Sequence, residues 1–482
     1  MVLQVPTHRK RTQWDRIATV AATAQHVADP AALPESVRVA EQAITNLRPP
    51  NGDKWTPEAA RELFAITPGI TYLNAGGYGV APKPVMAVRQ AWLDAAEAEP
   101  TDYSNSVDLF LPRATVAVAE FVNADPQDIL FAYNTTNAVN TVLKSWGLGP
   151  MDRILTVSIA YPAVAFTIGY VQELTGAKSV QLTIPLPATR EKIISAFSEM
   201  LRTSCAQPTM AVFDHVSSAT ALRLPVEELV QLCRQNGIWT VIDGAHGIGL
   251  VPLDLKKMDP DVYISNVHKW GFAPRGCAFL YVKRQHHARV RPLITSHGHS
   301  HRGGIQAEFF WPGTTDLSPI LSVPAALAFW HTVVRDFDRN HRLAVAAAHF
   351  LAKTVDGYLI AGEDQMLAAM ALIVLPRVTP EIVRRVPAST VREQVAQGVP
   401  VPALDGATPA DATYATEGPE VEELSPAVLA GALHDQVRAQ YGVDAIFTTV
   451  QGQVAVRIAA QVFNGPDDYV KLARALRAAI LG

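Results

Sequence analysis

Cysteine is scarce in this sequence: Cys205, Cys233 and Cys277 are the three present, and they stand far apart. Such spacing offers neither a disulfide framework nor the paired ligands of a metal site, so a reducing compartment, the cytoplasm, is the expected location. Long apolar runs are missing too. No stretch reaches the roughly 20 residues that a helix needs to cross a bilayer, so no membrane association is expected. The opening MVLQVPTHRKRTQWD carries basic charge without an apolar core behind it, which argues against an export signal and leaves a transit function open. Charge itself is thin, at 18% of residues with a formal net charge of -4, and no basic domain emerges. Nucleic acid is therefore not an expected partner.

What is present is apolar content of 49% over 482 residues, enough for a substantial core and two domains. The most informative stretch is GIWTVIDGAHGIGLVPLDLKKMDPDVYISNVHK, from Gly237 to Lys269. Its run Ile238 to Ile242 predicts a buried parallel strand that stops at Asp243 and Gly244. A second run, Asp261 to Ser265, leads into Asn266, Val267, His268 and Lys269. Two strand ends would then present Asp243, His246 and Lys269 to the crevice where open α/β sheets bind ligands. An acid, an imidazole and a lysine together suit pyridoxal 5'-phosphate. Lysine holds the aldehyde as a Schiff base, and the acid keeps the pyridine nitrogen protonated. The alternative reading of Asp243 is a turn cap, and of His246 a satisfied core residue.

The segments VIDGAHGIGLVPLDL, DVYISNVHKW and GCAFLYV, in this order and spacing, resemble the cofactor-binding core of class V, fold-type I pyridoxal-phosphate enzymes. The isopenicillin N epimerase-like branch, related to cysteine desulfurases and C–S lyases, is the nearest in pattern. The resemblance implies an α/β fold: a large, mostly parallel sheet of the seven-stranded type and a smaller α+β domain. The expected divisions are 1–75, an N-terminal extension leading into the small domain; 76–330, the large cofactor domain; and 331–482, the small domain, with a Pro/Ala-rich insertion near 377–420.

The same resemblance assigns roles residue by residue. Thr135, Thr136 and Asn137 form the phosphate turn, where a helix start with free backbone N–H groups makes an anion site. Tyr161 covers the cofactor face where desulfurases usually carry histidine; a phenol stacks well but is a poor acid–base group near neutral pH. Ser217 or Ser218 donates to the ring oxygen, with His215 orienting. Asn266 and His268 flank the lysine on the cofactor side. Gly313 and Thr314 reach a neighbouring protomer's phosphate, implying a homodimer with shared sites, and Thr315 caps. Asn74, at the end of the run Ile70 to Asn74, and Gly77, in the glycine-rich stretch after it, help seat a substrate carboxylate. Arg457 grips that carboxylate through a two-pronged contact, with Asn464 orienting. Arg113 is open between substrate contact and structural ion pair.

These features imply an enzyme acting at Cα of an amino acid through an external aldimine and quinonoid, epimerase-like in outcome. A C–S lyase acting by β-elimination on a cysteine conjugate, an aminotransferase and a non-catalytic interaction scaffold are the alternatives. Persulfide-forming desulfuration is disfavoured, because no cysteine follows Cys277 to serve a mobile loop. Cys277 itself reads as a core thiol. His297, His299 and His301 lack accompanying carboxylates, so no metal is expected.

Overall fold

The computed structural model describes residues 33–50, 52, 54–204, 206–299, 304–378 and 425–481. Thirteen strands occur among them: β1 Thr71–Tyr72, β2 Ile129–Ala132, β3 Arg153–Val157, β4 Lys178–Leu182, β5 Met210–Asp214, β6 Trp239–Asp243, β7 Val262–Asn266, β8 Ala278–Val282, β9 Tyr358–Leu359, β10 Met370–Val374, β11 Val443–Asp444, β12 Ile446–Val450 and β13 Gln453–Ala459. Seven form one sheet in the order β2-β8-β7-β6-β5-β3-β4. Strands β3 to β7 run parallel, and β8 opposes both β7 and β2. The mostly parallel, seven-stranded α/β architecture of fold-type I enzymes is therefore present.

Both faces of this sheet are covered, which is why its strands read as near-continuous apolar runs. Along β5, Met210 and Val212 join the core on one face while Ala211 and Phe213 join the core on the other. Val262 and Ile264 on β7 oppose Tyr263 in the same way. This is the two-residue alternation of a strand, with apolar matter on both sides.

A second sheet, β12-β13-β10-β9, is antiparallel and packs on the helices Asp338–Thr354, Pro426–Tyr441 and Pro466–Leu481. Thr56 caps the helix Pro57–Arg61 by accepting the Ala59 N–H, as its sequence predicts. Among the described residues no helix is long and apolar enough to cross a membrane.

The sequence also predicts a strand at Ile70 to Asn74, a helix from Leu321 through Trp330 and a strand from Met366 to Pro376, and each differs in the structure. The strand expected at Ile70 to Asn74 shrinks to Thr71–Tyr72, paired parallel with β11, and the glycine-rich stretch after it coils into a helical turn, Ala75–Tyr78. The helix expected from Leu321 through Trp330 breaks at Ser322 into Ser318–Leu321 and Val323–Phe329, followed by a π-type turn, Trp330–Val334. Pro324 supplies the reason: it has no N–H for the Ile320 carbonyl, and its ring crowds that carbonyl. The strand expected from Met366 to Pro376 spans Met370–Val374. The insertion near 377–420 lies, from residue 379 on, outside the described residues.

Candidate active site

The carboxyl ends of β5, β6 and β7 build the centre of the site. Asp243 closes β6 in register with Asp214 on β5 and Ile264 on β7. The chain turns there because Asp243 Oδ1 accepts the Ala245 N–H at 2.9 Å. Gly244 is required at the turn: a Cβ on it would stand 2.4 Å from the Tyr263 ring. Tyr263 in turn holds His215 Nδ1 at 2.8 Å through its hydroxyl. Burial raises the Asp243 carboxyl above its ordinary range, and burial followed by the Asp243 charge raises Asp214 still further.

Lys269 follows β7 and turns its amine inward. Its Nζ lies 3.2 Å from His246 Nε2, and Trp270 Nε1 donates to His246 Nδ1 at 3.2 Å. Desolvation, and then the Arg457 charge, lower the Lys269 amine to about 8, with Asp243 and Asp214 opposing. Burial and the same two cations hold His246 well below the usual imidazole range. His268 Nδ1 lies 2.7 Å from the Cys277 carbonyl, which anchors the backbone beside the lysine. Burial pushes His268 down to about 4.

The stretch expected to form a phosphate turn sits at the start of the helix Thr135–Ser145. Two of the backbone donors expected to be free there are engaged. The Thr135 N–H donates to Asn266 Oδ1 at 2.9 Å, and the Asn137 N–H donates to the capping Asn134 Oδ1 at 2.8 Å. Asn266 thereby ties the lysine strand to the turn. What stands ready is Thr135 Oγ1, which is buried without a hydrogen-bond partner among the described residues, and Thr136, which is exposed at the helix mouth. A buried hydroxyl lacking a partner beside a positive helix end suits a phosphate oxygen. With Lys269 for the aldehyde and Asp243 for the ring nitrogen, the residues fit pyridoxal phosphate.

Arg457 enters from β13 of the smaller sheet, opposite Leu372 and Ile446. It is buried, at 6% exposure. Its Nη2 donates to Asn74 Oδ1 at 3.0 Å, and Nη1 donates to the Ser218 carbonyl and faces the Ser218 hydroxyl at 3.4 Å. Burial lowers the guanidinium to about 10, with the phenols of Tyr72, Tyr78 and Tyr161 opposing. Gly77 lies against Asn74, where a Cβ would stand 2.7 Å from Oδ1. Tyr161 holds the N-cap position of the helix Pro162–Thr175 and is 43% exposed. Of the two serines, Ser217 is fully buried and donates to the Ile159 carbonyl at 3.0 Å, while Ser218 is the one at Arg457.

Other sequence candidates lie elsewhere. Arg113 forms a two-pronged ion pair with Glu41, at 2.7 and 3.2 Å, so its role is structural. Thr315 is not a cap: its hydroxyl accepts from the Tyr133 hydroxyl at 3.4 Å, while Asp316 Oδ1 accepts the Ser318 N–H at 2.8 Å and Asp316 Oδ2 takes Arg89 at 3.0 Å. Thr314 is exposed beside Gly313, whose φ is 119°. Asn464 donates to the Tyr72 carbonyl and to Asp468, each at 3.1 Å, bracing β1 without touching Arg457 in its own bonds. Cys277 is fully buried, which pushes its thiol up. His301 and Cys205 lie outside the described residues, among which no group of three metal-ligating side chains occurs. Sequence reasoning passed over Asp214 and Trp270. Each stands next in sequence or in register to a residue it did select, which was the available signal.

Comparison with known proteins identifies the family. A family model described as aminotransferase class V matches residues 72–386. An L-cysteine desulfhydrase-like protein of Epichloe uncinata is 31% identical over 292 residues, covering 56% of this chain and 64% of that protein. The chain thus spans just under two thirds of that relative's length. The isopenicillin N epimerase of Amycolatopsis lactamdurans is 30% identical, over 56% of this chain and 71% of that protein. A cysteine desulfurase from Thermococcus onnurineus NA1 shares the fold, with TM-score 0.66 and 16% identity, over 90% of this chain and all of that one, at 100%. The chain belongs to the class V aminotransferase family of pyridoxal-phosphate enzymes.

Proposed function

We propose that this chain is a C–S lyase that cleaves the Cβ–S bond of cysteine or a cysteine conjugate. One substrate and one water yield a thiol, pyruvate and ammonia. The observation that carries this reading is the base inventory of the pocket. The Lys269 amine sits at about 8, whereas burial holds His246 well down and His215 at about 3. Among the described residues the site thus offers one amine base for the Cα proton, flanked by imidazoles that stay neutral. Elimination needs only this single base, whereas two-base epimerisation needs a proton donor on the opposite face of Cα as well.

Arg457, steadied by Asn74 and Ser218, receives the α-carboxylate. Tyr161 lines the mouth on the side of the Arg457 guanidinium. Thr135 and Thr136 take the phosphate, and Asp243 faces the ring nitrogen. Ser218 rather than Ser217 is the hydroxyl placed to meet the cofactor, since Ser217 is committed to Ile159. The cofactor, when bound, withdraws electrons from Cα. Lys269 takes the Cα proton and returns it to the departing sulfur. A homodimer, with Thr314 directed to the partner's phosphate, is part of the proposal.

Epimerisation at Cα is the second reading, favoured by the similarity to isopenicillin N epimerase. Incubating the holoenzyme with cysteine, cysteine conjugates and other amino acids in deuterium oxide separates the two. Stoichiometric thiol, pyruvate and ammonia support elimination. Recovered amino acid with deuterium at Cα and inverted configuration supports epimerisation. Neither signal over a broad panel rejects both.

A further inference from the structure

An indole N–H can only donate a hydrogen bond, so the nitrogen facing it must accept. Trp270 Nε1 lies 3.2 Å from His246 Nδ1, and both side chains are 1% exposed. Nδ1 of His246 therefore carries no proton. A neutral imidazole then has its one proton on Nε2, and that atom lies 3.2 Å from Lys269 Nζ. The contact is satisfied only if Nε2–H donates to the lone pair of an uncharged amine, because an ammonium has no lone pair to offer.

From this geometry we infer that Trp270 is a positioning residue: it locks His246 in the Nε2–H tautomer, which favours the free-amine form of Lys269 and presents a fixed N–H donor to the cofactor side. The lock is sterically firm. A Cβ on Gly76 would stand 3.3 Å from Trp270 and 3.5 Å from His246, so the helical turn Ala75–Tyr78 closes over both rings. The charged groups facing this pair are Lys269 and Arg457 toward His246, with Asp243 and Asp214 toward Lys269. Burial of the ring and the Arg457 guanidinium disfavour a charge on the imidazole, so the ring stays neutral and cannot accept the lysine proton. His246 is then a donor throughout, and not a relay. The inference does not depend on which substrate bond the enzyme breaks.

Histidine-selective 15N labelling of the full-length chain reads the tautomer directly, with and without pyridoxal phosphate. The His246 signals are assigned by their loss in His246→Gln. The expected spectrum is a single Nε2–H tautomer at pH 9, above the Lys269 value of about 8, where the lysine is a free amine. Removing the donor while keeping an aromatic ring, in Trp270→Phe, should shift the tautomer ratio toward Nδ1–H by about fivefold, the worth of one hydrogen bond. The pH midpoint for acylation of Lys269 in the cofactor-free chain should rise by about half a unit in the same variant. A native His246 that is Nδ1–H or doubly protonated overturns the inference without need of any variant. An unchanged tautomer in a folded Trp270→Phe chain overturns the role of Trp270.

Discussion

Asp214 and Asp243 stand in register at the ends of neighbouring parallel strands, each buried to 3% exposure and both facing Lys269. Two carboxyls so placed cannot both ionise without strong repulsion in a region of low polarity. Both accept backbone N–H groups, Asp243 from Ala245 and Asp214 from Tyr161, but burial and then the Asp243 charge push Asp214 well up, so the shared proton resides on Asp214.

The first prediction concerns stability. Asp214 binds its proton more tightly in the folded chain than in the unfolded one, where the carboxyl titrates near about 3.9. Above that pH the folded state holds more protons than the unfolded state, so stability falls as pH rises toward the folded value. Asp214→Asn, which mimics the neutral acid, should therefore raise stability at pH 8 by about 1 to 2 kcal/mol and change it little at pH 4. Urea unfolding at the two pH values checks this; a variant destabilised at pH 8 would show that Asp214 is an anion.

Cofactor capture should follow the Lys269 amine. The ammonium below about 8 cannot attack an aldehyde and the free amine above it can, so the capture rate rises with pH through that value and then levels. Stopped-flow absorbance of pyridoxal phosphate mixed with the cofactor-free chain gives the midpoint. Lys269→Ala should lose the borohydride-fixed adduct altogether, and an adduct retained in that variant sinks the assignment.

Arg457→Lys keeps the charge but loses the fork that spans Asn74 and Ser218. The ratio kcat/KM should fall by about 100-fold, mostly through KM, because the carboxylate contact exists before and during the reaction. Initial-rate kinetics decide it. An equal fall in kcat with KM unchanged would place Arg457 in the chemistry instead of in binding.

Gly79 has φ 68°, and a Cβ there would come within 1.9 Å of the His268 carbonyl and 2.8 Å of Lys269 Cα. Arg275 clasps the same loop, donating to the Tyr78 and Gly79 carbonyls at 3.2 and 3.1 Å. Gly79→Ala should cost about 2 to 4 kcal/mol and weaken cofactor retention, since relief of the clash displaces the lysine. Thermal unfolding with and without cofactor measures both effects.

The paired core strands, the Asp243 turn and the lysine after β7 were legible because their signals are local. A doubly buried strand is written as an apolar run, a turn as Asp-Gly, and the spacing between the two strand ends sets their neighbourhood. Even the arginine on β13 is singled out, by the resemblance of its segment. The partners of these groups were not legible. Arg457 meets Asn74 across 383 residues and Ser218 across 239, and no local periodicity encodes a contact of that span. Which backbone N–H groups at the phosphate turn are already engaged depends on Asn266 arriving from another strand. Likewise, only the folded chain sets Asp214 against Asp243 and turns Trp270 toward His246. Residue identity and local periodicity set the kinds of group available and the strands that carry them. Tertiary structure decided their protonation and hydrogen bonding, because those depend on burial and on neighbours distant along the chain.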